Sequence, residues 1–106
     1  MVSIITPLYN CQNYISDCIK SVVSQSYKNW EMIIVDDKST DNSLKIAKRF
    51  SKTDSRIKIL TLKFNEGAGV ARNLAIKESK GKYIAFLDSD DIWLDNHLEE
   101  FVKYIG

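Results

Sequence analysis

The sequence predicts an α/β domain in which a parallel sheet is covered by helices on both faces. Three observations carry that prediction. The apolar period switches repeatedly between strand and helix spacing, in the order β-α-β-α-β-α-β-α. Trp30–Val35 is a short apolar run of β-type residues, as a strand buried on both faces requires. The chain has 106 residues, 44% hydrophobic and 27% charged, which is one ordinary globular domain. Strands that alternate with helices imply a parallel sheet with right-handed crossovers.

Each element has its own signal. Val2–Leu8 reads as a strand with Pro7 at its C-terminal end. Tyr14, Ile15, Cys18, Ile19, Val22 and Val23 then recur at helical spacing. The second strand is expected near residues 31–36. Asp41, Asn42 or Ser43 caps a helix carrying Leu44, Ile46, Ala47 and Phe50. The third strand is Ile57–Leu62. Val70, Ala71, Leu74 and Ala75 mark a helix over 68–79, stopped by Gly81. Lys82–Leu87 is the fourth strand. Asp95 caps a last helix carrying Leu98, Phe101, Val102 and Ile105.

Composition removes several functional classes. Lys plus Arg is 15 and Asp plus Glu is 14, so a charge of +1 gives no general case for nucleic acid. The longest strictly apolar runs, such as Met32–Val35 and Ile84–Leu87, fall far short of the roughly 20 residues of a membrane span. The N-terminus lacks the basic start and apolar stretch of a signal peptide. Cys11 and Cys18 form neither a disulfide framework nor a CxxC metal motif. We read them as reduced, packed thiols of a cytoplasmic protein. His97 is the only histidine and reads as a surface residue.

Ligands of parallel sheets bind beyond the carboxyl ends of the strands. Four polar segments converge there. Asp88-Ser89-Asp90-Asp91 is the strongest. A continuing strand would set Asp88 and Asp90 on one side. Carboxylates held close need a cation or proton between them, and oxygen ligands favour Mg²⁺ or Mn²⁺. The bland alternative is capping of the last helix. Asp36 and Asp37 close the second strand, where a carboxylate accepts from a base N–H or a ribose hydroxyl. A turn cluster with Ser39, Thr40, Asp41 and Asn42 is the competing account. Asn65–Gly69 leads into a helix N-terminus with free N–H groups, and Arg72 adds a planar cation. Arg72 equally suits a salt bridge to the acidic edge. Tyr9, in Thr6–Asn10, offers a face for stacking on a base, or is a core tyrosine.

Together these segments resemble the N-terminal half of a family 2 glycosyltransferase of GT-A fold. The matching pieces are Val2–Asn10, Ile34–Asp41, Asn65–Gly67 through Ala71-Arg72-Asn73, and Phe86–Asp91. Lys38 departs from the pattern, standing where the family often has a small residue. The resemblance implies a Rossmann-like sheet in the order 3-2-1-4 and a nucleotide-sugar donor, commonly a UDP-sugar. Pro7, Tyr9 and Asp37 fall where the family contacts the base, with Asp36 beside them. Arg72 falls near base and phosphates. Asp88 matches the ribose side of the DxD-type motif, and Asp90 matches the residue that reaches Mn²⁺ or Mg²⁺. The implied reaction is sugar transfer, with inversion, to a hydroxyl of a glycan or lipid-linked acceptor.

Family members are longer. The resemblance therefore implies that residues 1–106 are a donor half whose acceptor half and catalytic base lie elsewhere, and that the piece alone is inactive. It implies a cytoplasmic parent at the inner face of the membrane, and a fourth strand left as an edge for self-association. Two rivals stand beside it. One is a non-catalytic nucleotide-binding module. The other is a signalling receiver domain, whose acidic pair, however, follows strand one and whose fifth strand carries a lysine.

Overall fold

The computed structural model describes residues 1–105. Its elements are β1 (Val2–Leu8), α1 (Ile15–Val23), β2 (Trp30–Asp36), α2 (Ser43–Thr53), β3 (Ile57–Thr61), α3 (Ala68–Glu78), β4 (Tyr83–Phe86) and α4 (His97–Ile105). The four strands form one parallel sheet in the order β3-β2-β1-β4. The fold class and strand order are those the sequence and its resemblance predict. The fourth strand is shorter than expected by a residue at each end.

Alternation along the strands builds two cores. On one face Val2, Ile4, Leu8, Met32 and Ile34 pack with Ile15, Cys18, Ile19 and Val22 of α1, Ala47 of α2 and Leu98 of α4. On the other face Ile5, Ile33 and Val35 pack against Ala71 and Ala75 of α3. Those two alanines stand four residues apart, so one narrow stripe of α3 approaches the sheet closely. β2 lies between covered faces and is buried along its whole length. β4 is an edge strand, and its last residue, Phe86, remains 56% exposed.

The chain runs outward from β1 through β2 to β3, then crosses to the other side of β1 for β4. The direction of strand order reverses between β1 and β4, which is where such sheets open a crevice. Pro7 sharpens it. The β1–β4 ladder ends with the Leu87 N–H donating to the Ile5 carbonyl at 3.0 Å. Its next bond would come from residue 7, and proline has no N–H. β1 and the chain after β4 therefore separate, while β1 stays bonded to β2 through the Asp37 N–H and Leu8 carbonyl, 2.8 Å apart.

Buried polar contacts fix the ends of the sheet. Glu31, on β2, accepts from Ser3 Oγ at 2.6 Å, Lys58 Nζ at 2.7 Å and the Lys80 N–H at 2.7 Å. Ser3 Oγ in turn accepts from the Gly81 N–H at 2.8 Å. Gln25 is wholly buried and joins α1 to the β4–α4 connection. Its Nε2 donates to the carbonyls of Ser21 and Leu94, at 3.0 and 2.6 Å, and its Oε1 accepts from the Leu98 N–H at 2.9 Å. The Trp93 N–H donates to Ser21 Oγ at 3.2 Å. The segment carrying Asp88–Asp91 is thus held at its far end by α1.

Candidate functional site

An open cleft of about 260 Å³ lies at the reversal point, lined by Pro7, Tyr9, Cys11, Asp37, Arg72, Asp88 and Asp90, among others. It gathers six of the seven predicted site residues. The seventh, Asp36, is not in the lining. Its carboxylate is buried and accepts from the Ser39 N–H at 3.1 Å and Ser39 Oγ at 2.6 Å. That closes the turn after β2, so for Asp36 the turn account describes what the side chain touches.

Asp37 has a similar task and a second face. Its oxygens accept from the Glu66 N–H at 2.7 Å and the Gly67 N–H at 2.9 Å. A loop that would otherwise hang from β3 is thereby tied to the end of β2. Gly67 stands at the N-cap of α3 with φ +96°, a conformation that favours glycine. Asp37 is only 3% exposed but lines the cleft, and a carboxyl group has more acceptor positions than these two backbone bonds use. α3 then carries Arg72 to the opposite wall. Arg72 Nη2 lies 3.5 Å from Asp88 Oδ1, the salt bridge foreseen as the ligand-free alternative. Both side chains are well exposed, so the pair contributes little and gives way readily to a better partner.

The acidic segment differs from expectation in its backbone. The strand stops at Phe86, and strand alternation does not align Asp88 with Asp90. A turn does so instead. The Asp91 N–H donates to the Asp88 carbonyl at 3.0 Å, and Ser89 turns inward with Oγ 3.0 Å from Cys11 Sγ. Asp88 and Asp90 are left facing the cleft. Asp91 is exposed, lies outside the lining, and accepts from its neighbour's N–H, Ile92, at 3.0 Å. α4 begins only at His97, so Asp88 and Asp90 are too far upstream to cap it. Asp90 accepts no hydrogen bond and makes no ion pair among the described residues. Its charge is therefore open to a ligand.

Beside the cleft, side-chain bonds that the sequence reading did not pair tie the loop after β1 to the loop after β2. Asn10, at φ 47°, accepts from the Thr40 N–H through Oδ1 at 2.8 Å. The Cys11 N–H donates to Ser43 Oγ at 2.7 Å, and the Gln12 N–H to Asp41 Oδ2 at 3.2 Å. The Asn42 N–H donates to Gln12 Oε1 at 3.1 Å. Asn42, not Asp41, occupies the N-cap of α2, and Asp41 Oδ1 accepts from the Ser43 N–H at 2.9 Å. The loops after β1 and β2 thus form one laced rim. The signal was present as clustered Asn, Asp, Ser and Thr, but their pairing spans about thirty residues of sequence. Cys18 is buried. Burial, with Asp91, Cys11, Asp90 and Asp88 nearby, pushes its thiol up to about 12, so it packs rather than reacts. His97 stacks on Trp93 with ring centroids 4.4 Å apart, outside the cleft.

Carboxylate oxygens suit a hard divalent cation. No cluster of three His, Cys, Asp or Glu side chains fit for a metal exists among the described residues. Asp88 and Asp90 supply two carboxylates to the cleft, so a divalent cation held there would have to take most of its ligands from water and phosphate oxygens. No helix among the described residues is long and apolar enough to cross a membrane.

Known proteins resemble this chain in sequence and in fold. TuaG of Bacillus subtilis, named for teichuronic acid biosynthesis, is 49% identical over 99% of this chain and 42% of its own length. WfgD of Escherichia coli, named as a UDP-Glc:alpha-D-GlcNAc-diphosphoundecaprenol beta-1,3-glucosyltransferase, is 52% identical over 93% of this chain and 38% of its own. The chain thus spans about two-fifths of these relatives. Residues 1–349 of S. aureus TarS, crystallised with UDP, superpose with a TM-score of 0.92 at 33% identity, over 98% of this chain and 31% of that TarS chain. A Pyrobaculum calidifontis mannosyltransferase shares the fold, with a TM-score of 0.92 at 24% identity. The family model for glycosyl transferase family 2 matches residues 3–106, and with the sheet order and cleft above it places this chain in that family.

Proposed function

We propose that this chain is the donor-binding part of a glycosyltransferase, and that its cleft takes a nucleotide-sugar, foremost a UDP-sugar. The carrying observation is the convergence of Pro7, Tyr9, Asp37, Arg72, Asp88 and Asp90 on one cleft at the β1/β4 reversal point. Tyr9, 45% exposed, presents a ring to the base, and Asp37 accepts from a base N–H. Arg72 leaves Asp88 and turns its guanidinium to the diphosphate. Asp88 would accept from ribose, and Asp88 and Asp90 together would hold Mn²⁺ or Mg²⁺. When bound, that ion supplies charge neutralisation for the departing diphosphate. Sugar passes with inversion to an acceptor hydroxyl, deprotonated by a carboxylate outside this cleft. The acceptor named for WfgD supports a lipid-linked diphosphate sugar as the acceptor. A receiver-type reading is not favoured, because the acidic pair follows β2.

Calorimetry with a panel of nucleotides tests the donor reading. UDP is expected to bind most tightly. Asp37→Ala should weaken it by roughly 1.5–3 kcal/mol, the loss of a hydrogen bond to a charged acceptor. Binding of UDP no tighter than that of other nucleotides, or unchanged in Asp37→Ala, would count against this assignment.

A further inference from the structure

Helix α2 carries a basic stripe that the donor cleft does not use. Lys45, Lys48, Arg49 and Lys52 stand at i, i+3, i+4 and i+7 and so share one face. All four are exposed, and none makes an ion pair among the described residues. The opposite face, with Ala47, Ile46 and Phe50, packs on the core. α2 contains no acidic residue. A chain of net charge +1 is therefore strongly polarised. Between Asp88 and Ile105 six acids accompany one lysine, and β4 lies at the end of the sheet away from α2 and β3.

Of the four, only Lys52, in the last turn, suits the helix dipole. Like charges at i, i+4 repel, here Lys45 with Arg49 and Lys48 with Lys52. Lys45, in the first turn, also meets the positive end of the helix dipole. The surface is shallow, a hollow of about 370 Å³ lined by the four cations and Leu44. We propose that α2 is an electrostatic docking face for an anionic lipid bilayer. An exposed helix face with four cations over about 10 Å presents them together to a flat anionic surface. It has neither the walls nor the aromatic platforms that hold a single polymer strand. The stripe begins two residues after Ser43, whose Oγ accepts from the N–H of Cys11, a residue of the cleft lining. Docking along α2 therefore brings that side of the cleft to the lipid headgroups, which, resting on the donor-site reading above, is where a lipid-linked acceptor presents its diphosphate.

Sedimentation with vesicles tests this. The chain should pellet with equimolar phosphatidylcholine and phosphatidylglycerol, stay in solution with phosphatidylcholine alone, and be released by high salt. Each stripe cation removed should weaken binding about fivefold, so Lys45→Gln/Lys48→Gln/Arg49→Gln/Lys52→Gln should fall to background. Lys63→Gln/Lys77→Gln/Lys80→Gln/Lys103→Gln, with the same net charge, should keep most of the binding. Circular dichroism checks that both variants are folded. The proposal is overturned if the parent chain ignores anionic vesicles, or if both variants lose binding equally. It is also overturned if polyphosphate, but not vesicles, binds through the stripe, which would indicate a soluble polyanion. UDP titration separates the two readings. Stripe-dependent vesicle binding without any UDP binding keeps the docking face and removes the donor site.

Discussion

Glu31→Ala should lower the unfolding free energy by about 3–5 kcal/mol at neutral pH, the range for breaking a buried charged network. The carboxylate is 2% exposed and takes hydrogen bonds from three directions. Removing it strands the Lys80 N–H and Ser3 Oγ in the interior and leaves Lys58 without its partner. Burial alone would raise the pKa of Glu31. The hydrogen bonds from Lys58, Ser3 and the Lys80 N–H, with the Lys58 charge, outweigh it and lower the value from 4.5 to about 2. A carboxyl with a depressed folded pKa stabilises fully above its unfolded value and loses that contribution as pH falls through the folded one. The fall from pH 4.5 toward 2 should therefore cost on the order of 3 kcal/mol in the parent chain and much less in Glu31→Ala. Urea denaturation across that range measures both. A loss under about 1 kcal/mol at neutral pH, typical of an exposed pair, would show that the network does not hold the sheet.

Gly81→Ala should destabilise by about 3 kcal/mol, the upper end for overpacking a filled site. A Cβ there would stand 2.6 Å from Ser3 Oγ, 2.7 Å from Ser3 N and 2.8 Å from the Met1 carbonyl oxygen. Two of those atoms are backbone and cannot swing aside. Relief requires moving the start of β1 or giving up the Gly81 N–H bond to Ser3 Oγ. Because Ser3 serves Glu31 as well, the double variant should lose less than the sum of the single losses. A thermal midpoint for Gly81→Ala equal to that of the parent would contradict this packing.

How much was legible follows from range in sequence. Period and punctuation located each strand and helix, since those signals are local. Pro7 and the Asp pairs marked the carboxyl edge for the same reason. The polar network at the other edge was not legible. Ser3 and Glu31 look like isolated polar residues in apolar strands until the register sets Ser3 opposite Glu31, and Ile33 opposite Lys58. Asp36 and Asp37 were read as one pair, yet strand alternation sends them to different partners, Ser39 and the Glu66-Gly67 backbone. Asp88 and Asp90 reached the same cleft by a turn rather than by pleating, because the strand ends with the β1 ladder.

Under the proposed function, Asp88 and Asp90 form a cation site that the donor's diphosphate completes. The direct test is titration of UDP with and without Mn²⁺, in the parent chain and in Asp90→Asn. Asn nearly keeps the shape of Asp90 and removes its charge, so the fold should be unaffected. In the parent chain Mn²⁺ should tighten UDP binding, and UDP should tighten Mn²⁺ binding by the same factor. Uridine, without phosphates, should show almost no such effect. Asp90→Asn should still bind UDP and lose the coupling. Equal UDP affinities in all four titrations would contradict the account and leave these acids without a metal role.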